Sequence, residues 1–347
     1  MKTIQMLKMG CGVLSAKFLR KKFPLNVMLS ITNRCMSQCR YCDIPNRNQR
    51  ELSTDEVFSL IDQICSLGCQ RFGIWGGEPL MRKDIEQVIN YAKNKGLFVT
   101  MDSNGYLLPQ RIHQLQNLDH LLLAFDGDQK AHELNRGSGS FQKVMRAIES
   151  ANGKVPFWTI TVLTKNNVGS IDFILEQAGK YGFLATFQLL HHNDQLSSDY
   201  QHLLPSRHDC QSAIKKLISE KKKGAPIASS LNYLNHILNW PDYKTANYPF
   251  TVNGVKCWAG DVYCNVDTDG SVYPCSLFVG KIKALNFLNV GFKEAFEFLK
   301  KDSCMACLAS CFTEYNYLYS LNAHTIMGWV KSFKKTKQSL CAKRTES

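Results

Sequence analysis

Three cysteines, Cys35, Cys39 and Cys42, fall within the run TNRCMSQCRYCDIP at 32–45, separated by three and then two residues. The spacing suits thiolate ligation, yet the number is odd. A structural zinc site takes four ligands and a disulfide takes two. A cubane iron–sulfur cluster resolves the count, because three cysteines on one loop hold three of its four irons and leave the fourth open to a small molecule. A zinc site that borrows a distant fourth ligand is the competing reading of the triplet alone.

The chain carries 14 cysteines in all, and six more gather late in the sequence, at Cys257, Cys264, Cys275, Cys304, Cys307 and Cys311. Cys11, Cys65, Cys69, Cys210 and Cys341 are scattered, as small buried residues or idle thiols are. No apolar run reaches the roughly 18 residues of a membrane-spanning helix. The opening MKTIQMLKMGCGVLSAKFLRKKFP is interrupted by Lys8 and Lys17 and offers no small-residue cleavage site, so it reads poorly as a signal peptide. Lys8 likewise spoils KMGC as a lipoprotein box. The expected compartment is the cytoplasm, where thiols stay reduced and two thiolate clusters mean metal.

These cysteines need elements to position them, and 347 residues with 44% hydrophobic content suffice for one large domain and a smaller one. Six apolar runs read as strands buried on both faces: 24–32, 70–76, 97–104, 120–127, 157–164 and 183–190. Amphipathic stretches such as TDEVFSLIDQICSLG and SIDFILEQAGKYG lie between them, several ending in Gly, with Ser53 or Thr54 as an N-cap. Six β/α units in series predict a parallel sheet; order alone leaves a doubly wound sheet and a barrel open. Residues 193–256 are polar and mixed. After them, two strands flank an Asp-Gly turn at 269–270, followed by a helix near 292–301 and the knot CMACLASC at 304–311.

The triplet follows the first strand and GGEP (76–79) follows the second, and with these residues the chain resembles the radical S-adenosylmethionine (SAM) superfamily over about 25–311. Tyr41 matches the aromatic before the third cysteine. The resemblance implies cofactor contacts from Gly76, Gly77, Glu78 and Pro79, with bare glycine backbone admitting the methionine amino group. It implies a ribose contact from Ser103 and Asn104 in SNG, and further contacts from Asp126 in FDG and Arg136 in HELNRGSGSF. Arg136 would pair with the cofactor carboxylate. Ala124 stands where the family has Ser, so no contact is assigned there. The implied fold is α/β: a partial (β/α)6 TIM barrel, with chemistry at the carboxyl ends of its strands, followed by a small cysteine-rich SPASM/twitch-like domain. The implied chemistry is one-electron reduction of SAM at a 4Fe–4S cluster, releasing a 5′-deoxyadenosyl radical that abstracts a substrate hydrogen.

Cys257, Cys275, Cys304 and Cys307 resemble the ligands of an auxiliary 4Fe–4S cluster of the SPASM or shorter twitch type, with Cys264 and Cys311 as further candidates. One auxiliary cluster is expected, because two need more cysteines; a zinc knuckle is the alternative. The expected divisions are 1–24, a basic amphipathic helix; 25–225, the barrel; 226–256, a linker; 257–312, the auxiliary region; and 313–347, a basic helix and tail.

The net charge of +13 is concentrated at the ends, with +6 in 1–24 and +5 in 331–347, leaving +2 between. A nucleic-acid enzyme would surround its site with that charge, so no nucleic-acid partner is expected. Ile4, Leu7, Cys11, Leu14 and Phe18 form one apolar helical stripe; Ile326, Trp329, Val330 and Phe333 form another. Basic amphipathic helices lie on anionic membranes, so peripheral contact with the inner membrane surface is one expectation and docking on the barrel or a dimer partner the other. Only 34 residues precede Cys35, too few for the peptide-recognition domain of many peptide-modifying members. The expected substrate is therefore a small molecule, sugar or lipid; a ribosomally made peptide and a non-catalytic zinc scaffold are the alternatives. A flavodoxin- or ferredoxin-type donor is implied as partner. His191 and His192 end the sixth strand near the cofactor face, as polar strand ends also do.

Overall fold

The computed structural model describes residues 3–18, 21–191, 200–300 and 304–346, with the side chains of 3–8 and 344–346 excepted. Helix α1 (Thr3–Phe18) precedes six strand–helix units. The strands are β1 (Asn26–Thr32), β2 (Arg71–Gly76), β3 (Phe98–Ser103), β4 (His120–Ala124), β5 (Phe157–Leu163) and β6 (Leu184–Leu189). The helices between and after them are α2 (Thr54–Ser66), α3 (Ile85–Asn94), α4 (Leu108–Arg111), α5 (Gln129–Arg136), α6 (Ser140–Ala151), α7 (Ile171–Tyr181) and α8 (Arg207–Lys222). Ser53 caps α2 in a reciprocal box with Glu56, each side chain bonding the other's backbone N–H. Such a cap contributes about 1 kcal/mol.

β1 to β6 pair in order and in parallel. Their outward residues, among them Val27, Leu29, Ile31, Phe72, Ile74, Leu121 and Leu123, pack into one core with α2 and α3. The inward positions of the carboxyl half differ. Trp75, Asp102, Ala124, Ile160, Val162 and Gln188 are only partly buried, so the inner face opens where the strands end.

The chain continues through α9 (Leu231–Leu238) and β7 (Asn247–Tyr248) to the hairpin β8 (Tyr263–Val266) and β9 (Ser271–Tyr273). After β10 (Leu285–Asn286) come α10 (Phe287–Val290), α11 (Phe292–Glu297), β11 (Ala306–Cys307), α12 (Ser310–Tyr319) and α13 (Ala323–Glu346). The Asp-Gly hairpin forms where expected, and β8 also pairs in parallel with β1. The order β10-β9-β8-β1-β2-β3-β4-β5-β6 makes one nine-stranded sheet. Residues 226–256 correct the expected linker. Tyr233, Leu234, Ile237 and Trp240 are fully buried, and Ile227 bridges Ala185 on the β6 edge. Scattered aromatic anchors hold a segment whose overall composition is polar.

The two terminal stripes separate. Among the described side chains of α1, Val13 and Ala16 are buried, while Cys11 is exposed and Leu14 and Phe18 are 43% and 74% exposed; Ile4 and Leu7 lie outside them. On α13, Phe333 meets the rings of Phe98, His120 and Trp158, and Thr336 Oγ1 accepts from Trp158 Nε1 at 2.7 Å. The second stripe therefore docks on the amino-terminal half of the barrel's inner face. Phe333→Ala should cost about 2 kcal/mol of stability. Leu14→Asp with Phe18→Asp should change it by no more than about 0.5 kcal/mol. Thermal unfolding of the two variants checks this contrast, and equal destabilisation would contradict it.

Candidate functional site

The Cys35–Cys42 loop leaves β1 and is seated on the end of β2. Gly77 N–H donates to Thr32 O at 2.7 Å and Glu78 N–H to Arg34 O at 2.8 Å. A Cβ at Gly77 would stand 2.3 Å from Arg34 O, and one at Gly76 would stand 2.5 Å from Thr32 O. The two glycines thus allow backbone to lie on backbone. At its far side the loop is held by Arg40 N–H, which donates to Asn135 O at the end of α5 (2.9 Å).

Glu78 is fully buried, and both its oxygens face protein donors. Oε1 accepts from Ser103 Oγ (2.8 Å) and Leu80 N–H (3.0 Å), and Oε2 accepts from Asn104 N–H (2.8 Å). Burial pushes its carboxyl up to about 7 against those hydrogen bonds. Pro79 starts the buried turn that follows. Glu78 thereby ties the ends of β2 and β3. Asn104 Nδ2 lies 3.5 Å from Cys35 Sγ.

A second network closes on Cys39. Asp126, fully buried, accepts from Tyr41 Oη (2.6 Å) and Arg136 Nε (2.7 Å) through Oδ2, and from Val162 N–H (3.0 Å) through Oδ1. Arg136 Nη1 reaches 3.5 Å from Cys39 Sγ, and its guanidinium lies 5.6 Å from the Tyr41 ring centroid. Burial opposes the charge on Arg136, but Asp126 first, then Tyr41 and Cys39, hold it protonated. His132, pushed down to about 3 by burial and then by Arg136, is neutral and accepts from Asp126 N–H through Nδ1 at 3.1 Å.

The thiols themselves fit a cationic group. Burial, followed by the neighbouring Cys39, pushes Cys42 up to about 12, and burial also raises Cys35. Thiols so placed ionise when a metal supplies the compensating charge. Among the described residues no three His, Cys, Asp or Glu side chains close on a single metal ion.

The late cysteines divide. Cys257, Cys275 and Cys307 are buried together with Val13, Ala16 and Trp258. Cys275 and Cys307 are raised by burial and then by their thiol neighbours, Cys304 among them. Cys264 departs from the expected ligand set. It sits on the opposite side of β8 from Tyr263, in the barrel core, with Cys69 the neighbour that acts on it after burial. Cys311 is exposed in the first turn of α12, within the influence of Asp102 and Arg71 as well as of Cys275. His191 Nδ1 lies 3.2 Å from Leu189 O; His192 is outside the described residues.

Several contributors were not singled out from sequence. Ser37 and Tyr106 lie behind Cys39, and Arg47 pairs with Asp267 across to the β8–β9 turn. Arg82 donates to Ile31 O and Leu52 O, bracing both sides of the cysteine loop. Ser37 fills a variable position of the cysteine spacing and the others stand outside the quoted motifs, so only the fold reveals them. Asp102, pushed up to about 6 by burial with Arg71 opposing, stands on the open inner face.

A family model described as the radical SAM superfamily matches residues 29–178. Over that stretch the chain carries a radical SAM domain. It is 25% identical over 305 residues to the mycofactocin maturase MftC of Mycolicibacterium smegmatis, covering 83% of this chain and 75% of that protein. It is 26% identical over 303 residues to the AdoMet-dependent heme synthase of Methanosarcina barkeri, covering 79% and 82%. In fold it is similar to Streptococcus suis SuiB bound to S-adenosylmethionine (TM-score 0.62, 18% identity, 85% of this chain and 68% of that one). It is also similar to anSMEcpe with bound AdoMet and the Cp18Cys peptide (TM-score 0.63, 19% identity, 88% and 99%). The fold is α/β with a partial TIM barrel, as in those structures, and the cofactors of the matched family are SAM and a 4Fe–4S cluster. Among the described residues no helix is long and apolar enough to cross a membrane.

The Glu78 arrangement generates a prediction. A glutamine there would turn one amide N–H toward a protein donor. Glu78→Gln should therefore cost about 2 kcal/mol, read as a lowered unfolding midpoint. Unchanged stability would remove Glu78 from the framework.

Proposed function

We propose that Cys35, Cys39 and Cys42 hold the cluster at which this enzyme cleaves SAM, and that Cys257, Cys275, Cys304 and Cys307 hold one auxiliary cluster. The observation that carries the reading is the convergence of two networks on the triplet: Asn104 at Cys35, and the Tyr41–Asp126–Arg136 group at Cys39. A cluster held by these thiols would supply the one electron that breaks the C5′–S bond of SAM, giving methionine and the nucleoside radical that would take a hydrogen from substrate. The chain's own residues position and shield. Arg136, with outer nitrogens beyond its bond to Asp126, offers charge to a carboxylate. The glycine backbone at 76–77 and the turn at Ser103–Asn104 shape the rim beside the thiols. In this division 25–225 performs the radical step, and 257–312 carries the auxiliary metal.

The substrate in this reading is a small molecule, sugar or lipid admitted to the open inner face, a class consistent with the heme synthase relative. The second reading is a peptide, favoured by the relative named as a maturase and by the similarity to anSMEcpe, solved with a peptide. The electron donor is of flavodoxin or ferredoxin type. The exposed Cys11, Leu14 and Phe18 face of basic α1 supports a peripheral membrane contact; α13, being docked, does not share in it.

Anaerobically reconstituted protein with dithionite and SAM should release 5′-deoxyadenosine without added substrate, and Cys42→Ala should abolish the release. Persistent cleavage in a Cys35/Cys39/Cys42 triple alanine variant would overturn the assignment. The same variant should still bind about four irons. Loss of all iron from the folded variant would remove the second cluster, and two zincs in place of iron would restore the scaffold alternative.

A further inference from the structure

Beside the cysteine loop, on the side of the helices that flank the barrel, is a recess of about 290 Å³. Met36 and Tyr106 line it from the loop side, Leu107 and Pro109 from the start of α4, and Lys143 and Arg146 from α6. It falls just below the range of small-molecule sites. Its walls are the outer surface of the cluster loop's own supports. Tyr106 Oη lies 3.3 Å from Ser37 Oγ, which lies 3.1 Å from Cys39 Sγ. Met36 Sδ lies 3.6 Å from Asn104 Nδ2, itself 3.5 Å from Cys35 Sγ. One layer of side chains therefore separates the recess from two of the three thiols.

The charge of this wall has one sign. Lys143 and Arg146 are exposed, Lys143 Nζ stands 5.3 Å from the Tyr106 ring centroid, and among the described residues no carboxylate lines the recess. Arg34 and Arg40 are exposed on the adjacent loop. An enzyme that receives electrons singly from a protein needs a place where the donor comes close to the cluster, and transient electron-transfer contacts are small and steered by charge.

We infer that the recess between Met36, Tyr106 and the Lys143–Arg146 face of α6 is the docking site of an acidic one-electron donor protein. The inference rests on the cluster assignment proposed above and adds where its electrons arrive. Lys143 and Arg146 steer and hold the donor, and Tyr106, Ser37 and Met36 are the groups between it and the thiols. None of the five touches SAM or substrate in this role.

The test compares two electron sources and a binding measurement. Reduced flavodoxin, an acidic protein, and dithionite, a small inorganic reductant that needs no docking site, each drive 5′-deoxyadenosine release from the reconstituted full chain. Lys143→Glu with Arg146→Glu should lower the ratio of the flavodoxin rate to the dithionite rate about tenfold, and the wild-type ratio should fall on raising salt from roughly 25 to 250 mM. Binding of fluorescently labelled flavodoxin to the purified chain, read by anisotropy independently of turnover, should weaken about tenfold in the same variant. If charge reversal impairs folding, Lys143→Gln with Arg146→Gln takes its place and the same ratio and affinity are read. An unchanged ratio with unchanged affinity overturns the docking site. Absence of dithionite-driven cleavage in the wild type would instead sink the cluster assignment, and the anisotropy result would still decide the docking site.

Discussion

The site depends on a contact between two stretches of backbone. The segment Thr32–Arg34 lies directly on Gly76–Gly77, at a distance that leaves no volume for a side chain on either glycine. The hydrogen bonds from Gly77 and Glu78 to Thr32 and Arg34 then fix the height at which the chain departs toward Cys35. Any residue with a Cβ at 77 would lift the loop, and Cys35 is the first side chain after the lifted segment. Glu78 extends the constraint sideways, spending its oxygens on Ser103, Asn104 and Leu80. The glycine motif is thus first a seat for the cysteine loop. Whatever it offers a cofactor follows from that seat.

The auxiliary region is built onto the same constraint. Because β8 continues the sheet beyond β1, its turn reaches the cysteine loop rather than hanging from a separate body. Asn33 Nδ2 donates to Thr268 Oγ1 (3.1 Å), Leu52 N–H donates to Thr268 O (2.9 Å), and Arg47 pairs with the buried Asp267. A buried ion pair is a weak source of stability but a costly one to break. It therefore holds the two cysteine regions in one relative position. Helix α1 seals the other side, with Val13 and Ala16 packed among the late thiols.

Much of this was legible in the sequence, for physical reasons that differ by element. Strands buried on both faces leave continuous apolar runs, so all six barrel strands were located; PLNVMLSIT contains β1, Asn26–Thr32. The order of the motifs placed Tyr41, Asn104, Asp126 and Arg136 around the triplet. Spacing failed for Cys264, because a ligand pattern counts residues while a strand alternates sides. Tyr263 faces the late thiols and its neighbour Cys264 must face away. Composition failed for 226–256, where a few aromatic residues bury a polar segment. Periodicity found both terminal stripes but could not say what covers them. The rings of Phe98, His120 and Trp158, far away in sequence, decide that α13 docks.

The cysteine loop works as a partition. Its inner side looks toward the open carboxyl half of the barrel, where Trp75, Asp102 and Gln188 are partly exposed and a substrate has room. Its outer side is backed by Ser37, Met36 and Tyr106 and ends in the recess beside α6. Were electrons to arrive from within the barrel, the donor would compete with substrate for one opening, and the radical would form beside a protein surface open to water. Separate faces remove that conflict: a donor can bind and leave on one side while the opening on the other is left to substrate. The positive charge of Lys143 and Arg146 belongs on the outer face for the same reason. Within the chamber it would hold donor-like anions where the hydrogen must be taken; outside, it accelerates an encounter that carries only an electron across the loop.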